Sequence, residues 1–149
     1  MTRSLVRAPR TKRVLFVCTE NANRSQMAEA FARRHGGGVV EAWSAGSAPS
    51  GAVGARAIRA MADRGYDLTG HRSKSTTDLP PGEFDVVVGM GCGDACPVVP
   101  ARSRREWDLP DPRDLPDPAY GRVRDEIERR VLALIEELRG GGAAPSSPR

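Results

Sequence analysis

A cysteine and an arginine bracket five residues in Cys18-Thr19-Glu20-Asn21-Ala22-Asn23-Arg24-Ser25. A thiolate in such a loop is a nucleophile, and a guanidinium beside it offers a planar fork to two oxygens of a tetrahedral oxyanion. The apolar run at residues 14–18 reads as a strand, and the pattern turns helical after the loop. Between a strand and a helix, the backbone N–H groups of Thr19, Glu20, Asn21, Ala22, Asn23, Arg24 and Ser25 can line an anion nest, to which the helix N-terminus adds partial positive charge. The same field favours the thiolate of Cys18. Spacing alone says little, because three cysteines and 21 arginines in 149 residues give about 0.4 such pairs by chance. Cys96 and Arg102 repeat it, but Pro97 and Pro100 remove two N–H donors and no helical pattern follows. Context selects the Cys18 loop. Glu20 has to point outward, since a carboxylate aimed at a bound oxyanion would repel it by several kcal/mol at low dielectric.

The other two cysteines stand in Gly91-Cys92-Gly93-Asp94-Ala95-Cys96-Pro97. An odd count argues against a disulfide scaffold, and a pair this close suits thiols that resolve an adduct on a third cysteine. Zinc is the rival reading, but a tetrahedral structural site needs four ligands and the only histidines, His35 and His71, are isolated. His71 and Arg72 read as fold-supporting hydrogen bonders. An oxygen leaves an oxyanion more easily once protonated, and a carboxylic acid near the nest can supply that proton. Asp111 and Asp117 both precede proline, and both are candidates.

Bringing these groups together needs strands that alternate with helices. Residues 14–18 form the first strand, and Ser25 is placed to cap a helix that stops at Gly36-Gly37-Gly38. A second strand is expected at residues 39–44. Val53, Ala57 and Met61 recur every four residues, giving a second helix that ends near Gly65. Pro80-Pro81-Gly82 breaks the chain before a third strand at residues 84–90, and a fourth extended piece is expected to end at Trp107-Asp108-Leu109. Val123, Ile127, Val131, Leu134 and Leu138 form the apolar stripe of a last helix over residues 121–139. This alternation predicts a single α/β domain with a four-stranded parallel sheet flanked by helices. Ligands of such folds bind beyond the carboxyl ends of the strands, where Cys18, Cys92 and Asp111 can meet.

The 149 residues suit one domain, able to bury roughly 70% of its unfolded surface without staples. Residues 1–12 read as a disordered basic arm, residues 13–139 as the catalytic domain and residues 140–149 as a disordered tail. Five of the 23 basic residues and no acid lie in the first 13 positions, leaving 18 basic against 19 acidic residues. The net charge of +4 therefore comes from the arm and does not describe a nucleic-acid surface. No apolar stretch approaches the ~18 residues of a membrane helix, and the start lacks the apolar centre of a signal peptide. The reading is a cytoplasmic monomer that binds neither nucleic acid nor membrane.

Val14-Leu15-Phe16-Val17-Cys18, Asn21, Arg24-Ser25-Gln26-Met27-Ala28-Glu29, Ser44-Ala45-Gly46, Gly70-His71-Arg72-Ser73-Lys74 and Asp111-Pro112 together resemble the low-molecular-weight protein tyrosine phosphatase superfamily over about residues 13–139. Arg-Ser-Gln-Met-Ala with Gly-His-Arg-Ser-Lys is more similar to its thioredoxin-coupled arsenate reductases than to its phosphatases. The resemblance implies reduction of arsenate to arsenite without a resident cofactor, with Cys18 as nucleophile and Arg24 as anion clamp. It also implies that Cys92 attacks the arsenic adduct of Cys18 and that Cys96 resolves the resulting disulfide. Thioredoxin is the implied electron donor, and mycothiol with a glutaredoxin-like system is the alternative. Asp111 fits the reductase pattern as proton donor, whereas Asp117-Pro118-Ala119-Tyr120-Gly121 is similar to the phosphatase pattern. Some relatives hold potassium near the loop, which would put Asn21, Glu29 and Ser44 around the ion. Two other readings compete: a phosphatase, whose covalent intermediate is broken by water, and an oxyanion or metal sensor that binds without turnover.

Overall fold

Strand β1 (Lys12–Cys18) is buried from Val14 onward because both of its faces are covered. Val14, Phe16 and Cys18 face one core, and Leu15 and Val17 face the other. A computed structural model describes residues 11–91 and 99–140 of the chain. In it β1 is followed by α1 (Arg24–His35), β2 (Val40–Gly46), α2 (Ala55–Ala62), β3 (Phe84–Gly89), β4 (Ala101–Glu106) and α3 (Asp117–Arg139). The four strands form one parallel sheet in the order β2-β1-β3-β4. Register pairs Cys18 with Gly46, Val17 with Gly89 and Gly89 with Glu106, so the carboxyl ends of all four strands lie along one edge.

The larger core joins one face of the sheet to the helices, through Met27 and Phe31 of α1, Met61 of α2, and Ile127, Val131 and Leu134 of α3. These are the periodic positions of the sequence. The opposite face is smaller, with Phe84, Val87 and Ala45 packed beside Trp43 and Leu79. The Arg13 guanidinium stacks there, 4.6 Å from the Phe84 ring centroid.

Several boundaries differ from those expected, each for a physical reason. Lys12 already pairs with Val40 in the sheet, and residues 1–10 of the expected basic arm lie outside the described residues, as does the tail from residue 141. Helix α1 starts at Arg24, so Asn23 is its N-cap and Ser25 lies within the first turn. Strand β4 stops at Glu106 instead of running to Leu109. It is an edge strand with exposed Arg102, Ser103 and Arg104, and its polar surface gives no apolar pattern to read. Helix α3 starts four residues before Gly121 because Pro118 sits in the first turn, where its missing N–H costs nothing. Among the described residues, no helix is long and apolar enough to cross a membrane.

Candidate active site

Residues 19–23 carry the chain from β1 into α1 by placing Asn21 in the left-handed region, at φ 51°. The loop carbonyls are all engaged. Thr19 O accepts from Ala48 N at 2.8 Å, Glu20 O from Ser50 N at 3.1 Å and Ser73 Oγ at 2.8 Å, Asn21 O from Gln26 Nε2 at 3.2 Å, and Ala22 O from Gly54 N at 2.9 Å. A peptide unit is planar and trans, so holding these oxygens outward directs the N–H groups of residues 20–23 the other way, which is the arrangement of an anion nest. Gly46 passes directly beneath. An added Cβ there would overlap Thr19 O and stand 2.9 Å from Asn21 N.

A cleft of about 140 Å³ opens at this end of β1, lined by Cys18, Thr19, Glu20, Ala22, Asn23, Arg24, Asp111 and Arg113. Cys18 is buried, with Sγ 2.9 Å from Ser25 Oγ. The Ser25 oxygen accepts from Asn21 Nδ2 at 2.8 Å, which leaves the hydroxyl proton available to the sulfur. This explains why Ser25 is not a helix cap: its oxygen serves the thiol. Asn21 Oδ1 accepts from Lys74 N at 2.7 Å and Gln26 Nε2 at 2.9 Å, so both ends of the amide fix the left-handed turn.

His71 and Arg72 support this arrangement as expected. The Arg72 carbonyl accepts from Gln26 Nε2 at 2.8 Å, and His71 Nδ1 lies 3.2 Å from Gln26 Oε1. Burial is the main cause that lowers the His71 pKa from the ordinary imidazole value, with Arg33 and Lys74 acting in the same direction against Glu29. The ring is neutral at pH 7, and its Nδ1–H donates to Gln26. Tyr120 enters the sequence reading only as part of the phosphatase-like pattern, yet its side chain reaches the loop. Burial pushes its pKa up to about 12, and its hydroxyl donates to Asn23 Oδ1 at 2.8 Å.

Arg24 is buried, with Nη1 donating to Leu109 O at 3.1 Å and Nη2 3.9 Å from Asp111 Oδ2. Gly91 lies against this group at φ 88°; an added Cβ would clash with Arg24 Nη1 and stand 2.7 Å from Leu109 O. Asp111 receives Arg113 N on Oδ1 and Arg113 Nη2 on Oδ2, both at 3.0 Å. Arg113 also reaches Glu20 Oε2 at 3.1 Å. Glu20 thus remains on the cleft wall, and its charge is offset by pairing instead of by turning away. Asp117 is elsewhere: it is exposed, bonds Arg56 Nη2 at 2.9 Å, and shares a second cleft with Arg56, Arg59 and Tyr120. The fold therefore brings Asp111, and not Asp117, to Cys18. Cys92 and Cys96 lie outside the described residues.

Asn21, Glu29 and Ser44 do not fit a potassium ion. Ser44 Oγ donates to Glu29 Oε1, and Lys74 Nζ stands 3.5 Å from that carboxylate oxygen and 3.3 Å from Ser44 Oγ. A second cation near that position would be repelled by about 4–5 kcal/mol at an effective dielectric of 20. Among the described residues, no group of three or more His, Cys, Asp or Glu could hold a metal ion.

Two outcomes follow from this geometry. Gly91→Ala forces a side chain into the left-handed region and against Arg24, and should weaken phosphate binding roughly 10- to 100-fold in a calorimetric titration. For His71, lowering the folded pKa means that the unfolded chain binds more protons, so stability falls as pH drops below about 6.5. Between pH 7 and 5 the melting temperature of the wild type should fall more steeply than that of His71→Gln.

The model of the low molecular weight phosphotyrosine protein phosphatase family matches residues 13–143. The glutaredoxin arsenate reductase of Synechocystis sp. (strain ATCC 27184 / PCC 6803 / Kazusa) is 35% identical over 130 residues, covering 85% of this chain and 98% of that protein. A solved arsenate reductase in the phosphate binding state superposes with a TM-score of 0.76 at 33% identity, over 86% of this chain and 99% of that one. The Corynebacterium glutamicum thioredoxin-dependent arsenate reductase gives a TM-score of 0.68 at 28% identity, over 91% of this chain and 65% of that one. A match that spans β1 to the end of α3, and so takes in the nest, Arg24 and Asp111, means that the chain belongs to the low molecular weight phosphotyrosine protein phosphatase family.

Proposed function

We propose that the chain is an arsenate reductase that works through a three-cysteine relay. The observation that carries this reading is one cleft of about 140 Å³ holding Cys18, Arg24 and Asp111 together, a space suited to a small tetrahedral oxyanion. The names of the similar proteins favour arsenate over a phosphate ester.

In the proposed reaction the Cys18 thiolate attacks arsenic, and a sulfur–arsenic bond forms. One arsenic–oxygen bond breaks, and Asp111 supplies the proton with which that oxygen leaves as water. Arg24 and the loop N–H groups stabilise charge on the remaining oxygens. Cys92 then attacks Cys18 Sγ. The sulfur–arsenic electron pair stays with arsenic, which leaves as arsenite reduced by two electrons, and a Cys18–Cys92 disulfide remains. Attack by Cys96 on Cys92 frees the Cys18 thiolate and moves the disulfide to Cys92–Cys96. The thioredoxin dithiol reduces it, a donor supported by the thioredoxin-dependent relative, whereas the Synechocystis protein supports a glutaredoxin-linked donor instead. No resident metal is required. The proposed setting is the reducing cytoplasm, with the chain acting as a monomer.

A phosphatase would use the same cleft and release the covalent intermediate with water, without Cys92 or Cys96. Arsenate-dependent NADPH consumption with thioredoxin and thioredoxin reductase, measured beside aryl phosphate hydrolysis, separates the two. Serine at Cys18, Cys92 or Cys96 should each abolish consumption, and the Cys92/Cys96 double variant should keep any ester hydrolysis. Absent consumption with rapid ester hydrolysis makes the protein a phosphatase. Asp111→Asn should lower kcat roughly 100- to 10,000-fold, the usual contribution of a positioned acid. Asp117→Asn, which breaks only an exposed ion pair, should stay within about twofold of wild type.

A further inference from the structure

Glu29 is 1% exposed within α1, and a carboxylate so buried needs both charge and hydrogen-bond partners. Ser44 of β2 donates to its Oε1, and Arg33 pairs with its Oε2. Lys74 completes the group. Its Nζ lies 3.3 Å from Ser44 Oγ, 3.2 Å from Arg72 O and 3.5 Å from Glu29 Oε1. An ammonium carries three N–H donors and no acceptor, and here it meets three oxygens from separate parts of the chain.

The backbone of the same residue reaches the anion loop. Lys74 N donates to Asn21 Oδ1 at 2.7 Å, and Lys74 O accepts from Gly46 N at 2.9 Å. Asn21 in turn holds Ser25 Oγ at 2.8 Å, and Ser25 lies 2.9 Å from Cys18 Sγ. A continuous set of polar contacts thus runs from the buried Glu29 through Lys74 to the nucleophile.

We propose that Lys74 is a positioning residue and the built-in monovalent cation of this site: its ammonium neutralises Glu29 where a potassium ion would otherwise serve, and its anchored backbone holds Asn21, Ser25 and Cys18 in register. An ammonium and a potassium ion are similar in size and equal in charge. Removing the side chain leaves a hole lined by carboxylate, hydroxyl and carbonyl oxygens, the donor types that suit a hard cation. The inference rests on the arsenate reductase reading only for its activity readout.

The test uses Lys74→Ala in the full chain, with potassium chloride or ammonium chloride exchanged for choline chloride at constant ionic strength. Wild-type kcat/KM for arsenate and the wild-type melting temperature should be the same in all three salts. In choline the variant should lose roughly 10- to 100-fold in kcat/KM, the usual cost of losing a supporting partner, and recover most of it in potassium or ammonium. Its melting temperature should rise with potassium and not with lithium; folding only in potassium would give the same support. Lys74→Met, which keeps the stem and leaves no room for an ion, should lose activity in every salt. The proposal is overturned if either variant matches wild type in choline, if neither the activity nor the melting temperature of Lys74→Ala responds to potassium or ammonium, or if potassium activates the wild type. Should the wild type consume no NADPH with arsenate, the functional reading fails alone, and the salt dependence of phosphate binding and melting still decides the role of Lys74.

Discussion

Between a dry strand and a helix N-terminus, residues 19–23 have to satisfy four peptide carbonyls while keeping the adjoining N–H groups for an anion. A buried carbonyl left without a donor costs about 1–3 kcal/mol, so the turn persists only because donors from elsewhere reach it. Ala48, Ser50, Gly54, Ser73 and Gln26 provide them. The connection from β2 to α2 is therefore part of the nest, and Gly46 is glycine because that connection must leave the sheet in contact with Thr19 O. Asn21 accepts the strain of a left-handed residue because each end of its amide is bonded.

Charge follows the same logic of local pairing. A nest that attracts an anion ought to reject Glu20, yet Arg113 spans Glu20 and Asp111 at the rim, so the carboxylates are matched before any ligand arrives. Deeper in, Glu29 is matched by Lys74 and Arg33. Arg24 stays available to the cleft because a backbone carbonyl, Leu109 O, takes one of its nitrogens, and Asp111 Oδ2 stands 3.9 Å from the other.

The C-terminal half closes the site over the N-terminal half. Tyr120 on α3 holds Asn23, Leu109 after β4 holds Arg24, and Gly91 after β3 has no side chain to displace either. These contacts join residues about 70 to 100 positions apart. They exist only because β3 pairs with β1, and β4 with β3, in parallel register.

The amino-acid sequence by itself determined the Cys18–Ser25 loop, the parallel α/β order and the apolar stripes of α1 and α3, because each depends on residues a few positions apart. Backbone donors, caps and periodicity are local properties. A fourth strand is legible in the sequence but its end is not, because the polar edge carries no period, and neither is the start of α3, where a proline that usually breaks helices is harmless. Asp111 and Asp117 look alike in sequence, and only the fold separated them, by carrying one to Cys18 and the other to Arg56. The tertiary structure also decided that Arg113 faces Glu20 and that Lys74 stands beside Glu29. One arginine among 21 has no local mark, because the carboxylate it meets is chosen by the strand order that brings two distant loops to the same edge of the sheet.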